Sequence, residues 1–287
     1  MAKLLKGAPV VNSMMEQFAE RIEQYKAQGV IPRLAIVRLG ENPDDIWYEK
    51  SVMRFCQKVG VEVKSIVYPA DCQEARLVRR MKRISNDDTI HGCLLMRPLP
   101  KHIDAFKVYD ALIPEKDLDC LTDGSLAAVF AGKGAGFPPC TAQACLEVLD
   151  YEGIELEGRH AVVIGRSLVV GRPLAMMLQQ RNATVTMCHS KTKNLAEICR
   201  SADIIISATG NPGTVTKECV REGQVVIDVG ISSSTDNFIV GDVAFDEVEP
   251  VVAAITPVPG GIGSVTTATL IKHLLEAAEV TYVFPKQ

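Results

Sequence analysis

Long hydrophobic runs are missing from this 287-residue sequence. No apolar run approaches the ~18 residues that a membrane helix requires. The opening MAKLLKGAPV also lacks the apolar core of a secretory leader, so the expected location is the cytoplasm. A basic excess is missing too: 31 Lys and Arg stand against 35 Asp and Glu, and the net charge of −4 offers no face for nucleic-acid phosphates. The nine cysteines are an odd, scattered set without a C-x-x-C pair, which argues against a disulfide framework or a zinc site. The histidines (His91, His102, His160, His189, His273) show no H-x-x-x-H or comparable spacing, so no metal is expected. Fixed-period repeats and low-complexity tracts are absent. What is left is small-molecule chemistry, on a chain 47% hydrophobic and long enough for two domains.

What the sequence does contain is alternation. RLAIVRLG (33–40) reads as a buried strand, IWYEKSVMRFCQKVG (46–60) as a helix ending at Gly60, and VEVKSIVYP (61–69) as a second strand. A helix near 73–85 and the strand GCLLMRPLP (92–100) follow, which implies parallel pairing through right-handed crossovers. AGKGAGFPPCT (131–141), rich in Gly and Pro, marks the domain boundary. Beyond it come HAVVIG (160–165), ATVTMCH (183–189), ADIIISATG (202–210), QVVIDVG (224–230) and AAITPVPGG (253–261) as strands. Helices are expected near 171–181, 193–200, 214–221 and 266–280, and this half has the pattern of a nucleotide-binding α/β sheet.

The strongest local signal is VVIGRSLVVGRP (162–173), a strand running into Gly165, then a helix opened by Gly171 with Pro173 in its first turn. Such a helix end offers unpaired N–H groups and a positive dipole to phosphate. The spacing is not G-x-G-x-x-G, and ordinary turn chemistry is an equal reading of these residues alone. The end of the next strand carries His189, Ser190 and Lys191 where an NAD site usually has Asp or Glu. A carboxylate there would repel a 2′-phosphate; Arg166 with Ser190, and Lys191 as a further candidate, would bind one. NADP is therefore expected over NAD, the alternative being that Arg166 and Lys191 are solvated surface charges.

Taken together, PLPKHID (98–104), PEKDLD (114–119), PPCT (138–141), VVIGRSLVVGRP, CHSKTKN, VVIDVGI, GDV (241–243) and TPVPGGIGSVT (256–266) resemble the FolD-type methylenetetrahydrofolate dehydrogenase/cyclohydrolases. The strings occur in family order and span nearly the whole chain. The resemblance implies a two-domain α/β fold. Its folate-handling domain would span residues 1–138, completed by a C-terminal helix within 266–287. A Rossmann-like NADP domain would span 139–265, with a cleft between the two and a homodimer formed through the cofactor domains. It places Thr141, Gly165, Arg166, Ser167, Ser190 and Ile231 on the cofactor, Tyr48 and Asp119 on the folate, and the loop Pro257 to Gly261, with Gly260, beneath nicotinamide and folate. Against each stands a plainer role: Tyr48 as an amphipathic helix residue, Asp119 as a turn former, Gly260 and Gly261 as backbone punctuation.

The sequence also departs from the family. Four residues after the Tyr the pattern has a Lys that serves the cyclohydrolase step; here Val52 stands there. Lys50 is no substitute, because it lies about 200° around the helix from Tyr48, whereas Val52 lies about 40° away. Met96 replaces the Gln of V-Q-L-P-L-P that tunes that Lys, and strand alternation turns Arg97 to the opposite face. Cys120, Ala142 and Ser264 replace a Gly and two Pro. Hydride transfer from methylenetetrahydrofolate needs proximity and no protein acid or base. Hydrolysis of the methenyl product needs activated water, which valine cannot supply. A dehydrogenase with weak or absent cyclohydrolase activity is the first expectation. The alternatives are a bifunctional enzyme with another base, a nucleotide-binding paralogue without catalysis, and a dehydrogenase of an altered substrate.

Overall fold

The computed structural model describes residues 1–233 and 239–283, so the last four residues of the expected 266–287 segment lie outside it. The chain divides into two units: Met1–Asn12 with Thr141–Thr266, and Ser13–Cys140 with the chain from Thr267. The first twelve residues thus leave the unit that the sequence assigned them to. Strand β1 (Lys3–Leu4) explains this, because it pairs in parallel with Ala254 and Ile255 at the edge of the second half's sheet. Helix α1 (Gly7–Ala27) follows and contains the division.

The unit from Ser13 is built on a three-stranded parallel sheet. Its elements are β2 (Arg33–Leu39), α2 (Pro43–Val59), β3 (Glu62–Tyr68), α3 (Glu74–Ser85), β4 (Gly92–Leu95), α4 (Ala105–Tyr109) and α5 (Asp123–Ala131). Strand β2, buried from Leu34 to Leu39 around the apolar run LAIV, lies in the middle between β3 and β4, as a strand covered on both faces must. Helix α2 has both ends specified by sequence: Asn42 accepts from the Asp44 N–H, Pro43 opens it, and Gly60 caps it in the left-handed region at φ 83°. Its buried Glu49 is tied to Arg38 of β2 (2.6 Å) and to Ser65 of β3, which fixes the helix on the sheet. The strand expected over 92–100 ends early. The Met96 N–H to Val37 carbonyl bond is the last rung, and the chain then leaves the sheet.

Buried in this unit, at the foot of β4, His91 accepts the Arg33 N–H at Nδ1 (3.0 Å). Burial, with the cations Lys116 and Arg33 nearby, lowers its pKa to about 4. The folded ring stays neutral at pH values where the unfolded ring takes up a proton, so stability rises with pH between about 4 and 6.5. Acidification from pH 7 to pH 4 should cost about 3 kcal/mol through this group. Urea melts of the protein and of His91→Gln check this: the wild type should lose about that much more stability on acidification than the variant.

The other unit begins with α6 (Cys140–Tyr151) at the boundary. It continues through β5 (His160–Ile164), α7 (Gly171–Gln180), β6 (Thr184–Cys188), α8 (Leu195–Ser201), β7 (Ile204–Ser207) and β8 (Val225–Asp228). It ends with β9 (Ser232–Ser233), β10 (Ile239–Val240), α9 (Phe245–Val248), β11 (Ala254–Ile255) and the start of α10 (Ile262–Val283). The main sheet has the order β1-β11-β8-β7-β5-β6 with parallel pairing throughout. From β5 the chain moves outward to β6 and returns to β7 on the other side, so the strand order reverses beside the C-terminal end of β5. The helix expected over 214–221 is only the turn Lys217–Cys219. Val215 instead bridges to Val243, which commits the start of this segment to extended pairing.

Candidate functional site

In the unit from Ser13, the segment PEKDLD positions the Asp119 carboxylate by burying Lys116 and Asp117 just before it. Lys116 Nζ donates to the carbonyls of Ile84 (3.0 Å), Ser85 (3.0 Å) and Asp87 (2.9 Å) at the end of α3. The buried Asp117 accepts the N–H groups of Leu121 (2.9 Å) and Thr122 (2.8 Å). Between these anchors Asp119 stays partly exposed, with Oδ1 accepting the Cys140 N–H at 2.9 Å and Oδ2 accepting Arg97 Nη2 at 2.7 Å. From α10, His273 hydrogen-bonds the Leu118 carbonyl (2.9 Å) and stacks on Phe137, holding the backbone just before Asp119.

Tyr48 of α2 faces this group. Burial pushes its phenol well above the ordinary range; Cys140 and Asp119 add to that, while a hydrogen bond with Thr267 and the charge of Arg97 oppose it. Tyr48 is therefore a neutral hydroxyl at physiological pH, a hydrogen-bond donor and not a base. Burial likewise raises the Cys120 and Cys140 thiols, which excludes ready thiolate chemistry. Cys120 adopts a left-handed backbone (φ 56°), a conformation that favours the Gly of the family pattern. One turn along from Tyr48, Val52 is fully buried, and Met96 is buried as well. Lys50 is exposed elsewhere, lining an open groove with Met53, Arg54 and Gln57.

Arg97 corrects the sequence reading. Alternation was carried past the end of β4, but pairing stops at Met96, so nothing obliges Arg97 to face away; its guanidinium reaches Asp119.

In the other unit Gly165 follows β5 at φ 133°, and a Cβ there would meet the Ala208 carbonyl oxygen at 2.4 Å. A Cβ on Gly171 would meet the Gly165 carbonyl oxygen at 2.2 Å, so both glycines let loop and helix close tightly. Arg166, Ser167 and Ser190 are exposed at the ends of the neighbouring strands β5 and β6. The expectation of free N–H groups at the start of α7 is not met. Ser167 Oγ accepts from Val170 (3.1 Å) and Gly171 (3.5 Å), the Ser167 carbonyl accepts from Arg172 (3.0 Å), and Pro173 has no N–H. A phosphate here meets a capped helix, and the cationic Arg166 is the group left to attract it. The absence of a carboxylate among His189, Ser190 and Lys191 suits a 2′-phosphate.

Ile231 is exposed just past β8, Thr141 is half-buried in the first turn of α6, and Pro257 to Gly261 form the turn after β11. Gly260 sits at φ 100°, and a Cβ on Gly261 would strike the Pro257 carbonyl oxygen at 2.5 Å, so backbone punctuation is a real part of their role. The described residues hold no group of three or more His, Cys, Asp or Glu suited to a metal, and no described helix is long and apolar enough to cross a membrane.

Residues 5–119 match the catalytic domain of the tetrahydrofolate dehydrogenase/cyclohydrolase family, and residues 139–282 match its NAD(P)-binding domain. The chain belongs to that family. The bifunctional protein FolD of Carboxydothermus hydrogenoformans is 48% identical over 282 residues, covering 98% of each chain. Among solved structures, the bifunctional FolD methylenetetrahydrofolate dehydrogenase/cyclohydrolase of Campylobacter jejuni is 35% identical with a TM-score of 0.95, covering 97% of this chain and 99% of that one. The methylenetetrahydrofolate dehydrogenase-cyclohydrolase of Trypanosoma brucei, solved with NADP and an inhibitor, is 33% identical with a TM-score of 0.91 and covers 98% of both chains.

Within the tetrahydrofolate dehydrogenase/cyclohydrolase frame, the structure brings Tyr48 and Asp119 into one cluster, and Gly165, Arg166, Ser167 and Ser190 to adjacent strand ends. Sequence reasoning missed Arg97, Cys140 and Thr267 around Asp119 and Tyr48. The PPCT string was a signal for Cys140; nothing local signals Thr267.

Proposed function

We propose that the protein is an NADP-dependent 5,10-methylenetetrahydrofolate dehydrogenase whose methenyltetrahydrofolate cyclohydrolase activity is weak or absent. The observation that carries this reading is the fully buried Val52 one helical turn from Tyr48, where the family pattern has Lys, with Met96 also buried where it has Gln. NADP, when bound, supplies the hydride acceptor. Arg166 and Ser190 would hold its 2′-phosphate, Gly165 and Ser167 would shape the loop at it, Thr141 and Ile231 would line the remainder, and the Pro257–Gly261 turn would lie under both nicotinamide and folate. The Asp119 carboxylate accepts from the pterin, and the neutral Tyr48 hydroxyl orients the one-carbon unit. Holding donor and acceptor carbons together is a proximity task that asks no proton transfer of the protein. In this reading the unit from Ser13 handles folate, its partner unit handles NADP, and the enzyme works as a cytoplasmic homodimer.

A bifunctional enzyme is the second reading, favoured by the name of the relative at 48% identity. It needs another base. Arg97 cannot be one, since a guanidinium stays protonated, and Lys50 lies in the exposed groove. The test supplies NADP⁺ and methylenetetrahydrofolate and follows both one-carbon products. NADPH should form while the methenyl product accumulates and decays at the buffer rate; formyl product keeping pace with NADPH would refute the proposal.

A further inference from the structure

We infer that Arg97 is a substrate contact that sets specificity for the 4-oxo edge of the pterin ring, acting with Asp119 as one donor–acceptor pair. The inference rests on the reading that the substrate is a reduced folate. The family pattern has Leu where Arg97 stands and so gives the guanidinium no role. Here one of its five N–H donors is committed to Asp119 Oδ2 at 2.7 Å, the one hydrogen bond it makes among the described residues. The side chain keeps 26% of its surface exposed and Asp119 keeps 20%, so both still have unused capacity facing solvent.

The two groups are held firmly enough to read a ligand. Asp119 Oδ1 is fixed by the Cys140 N–H at 2.9 Å, and Asp119 sits three residues from the buried Lys116 anchor. Arg97 follows directly on the last rung of β4 pairing. Each Asp119 oxygen retains a lone pair beside the planar fork of Arg97 donors. The pyrimidine edge of a 2-amino-4-oxopterin presents an acceptor, O4, followed by two donors, N3–H and the 2-amino group. That order is the complement of Arg97 followed by Asp119. The pair is also neutral as a whole, so a ring laid against it does not strand a lone charge.

A 4-amino analogue turns a donor toward Arg97 in place of O4, and a site built to donate rejects such a partner. The experiment measures binding of tetrahydrofolate and its 4-amino counterpart by calorimetry, with NADP⁺ binding as the check that each variant is folded. Arg97→Leu should lower the affinity ratio of 4-oxo to 4-amino ligand by at least about tenfold, and Arg97→Lys, which keeps a donor, should recover part of it. If Arg97→Leu does not bind NADP⁺, Arg97→Met, which likewise has no donor, carries the comparison in its place. An unchanged ratio in a variant that binds NADP⁺ would overturn the inference alone. A wild type that binds NADP⁺ but no tetrahydrofolate would overturn the proposed function together with it.

Discussion

Val52→Lys combined with Met96→Gln should make the protein hydrolyse methenyltetrahydrofolate at least about 10²-fold faster than buffer, the lower end of what positioned proton transfer supplies. The argument starts from burial. Val52 has 0% exposure on the Tyr48 face of α2, so a lysine there enters a packed site shielded from solvent. Alone, its ammonium would lack an acceptor, and desolvation would push it toward the neutral amine while the fold loses several kcal/mol. Met96, at 6% exposure, is where the family pattern puts the Gln whose carbonyl would hold that amine. The single Val52→Lys variant should therefore melt earlier and gain no hydrolysis, whereas the double variant should recover much of the stability and acquire the second activity. Loss of the methenyl chromophore, timed in each variant against buffer, separates these outcomes. If the unaltered protein already matches the double variant, another group activates water and the apolar replacement of the base is not what limits hydrolysis.

Features set by local chemistry were legible in the sequence. Helix α2 announces its end through Gly60, although its Asn42-Pro43 start lies ahead of the Ile46 where the pattern placed it, and β2 shows in its apolar LAIV core, as suits a central strand. The cofactor loop is legible for the same reason, since Gly165 and Gly171 are required by close backbone approach. Features set at a distance were not. Strand β1 has two residues and no periodicity; only its register against Ala254 and Ile255 makes it a strand. Ser167 reads as a polar loop residue until its hydroxyl is seen capping α7. Arg97 was misread because a period-two rule holds only while the ladder continues, and the ladder ends one residue before it. The charges of PEKDLD look alike in sequence, yet Lys116 and Asp117 are interior while Glu115 and Asp119 stay partly exposed, Asp119 alongside Arg97.

Lys116→Met should destabilise the unit from Ser13 by about 3–5 kcal/mol, although it removes no apolar contact. Lys116 is 5% exposed, and its ammonium gathers three carbonyl oxygens, two of them from the last residues of α3, where helix carbonyls lack partners. Methionine fills similar volume but satisfies none of the three, so each acceptor is left buried or must find water by opening the loop. Lys116→Arg keeps the charge in a fork too wide for a site shaped around one nitrogen and should fall between the two. The same anchor sets where Asp119 emerges. In the fraction of Lys116→Met that remains folded, the KM for the folate substrate should therefore rise while NADP⁺ affinity, which the proposed function assigns to Arg166 and Ser190, stays unchanged. Urea unfolding gives the first quantity and steady-state kinetics the second. A variant as stable as the wild type would mean that the three carbonyls are solvated after all and that Lys116 holds nothing in place.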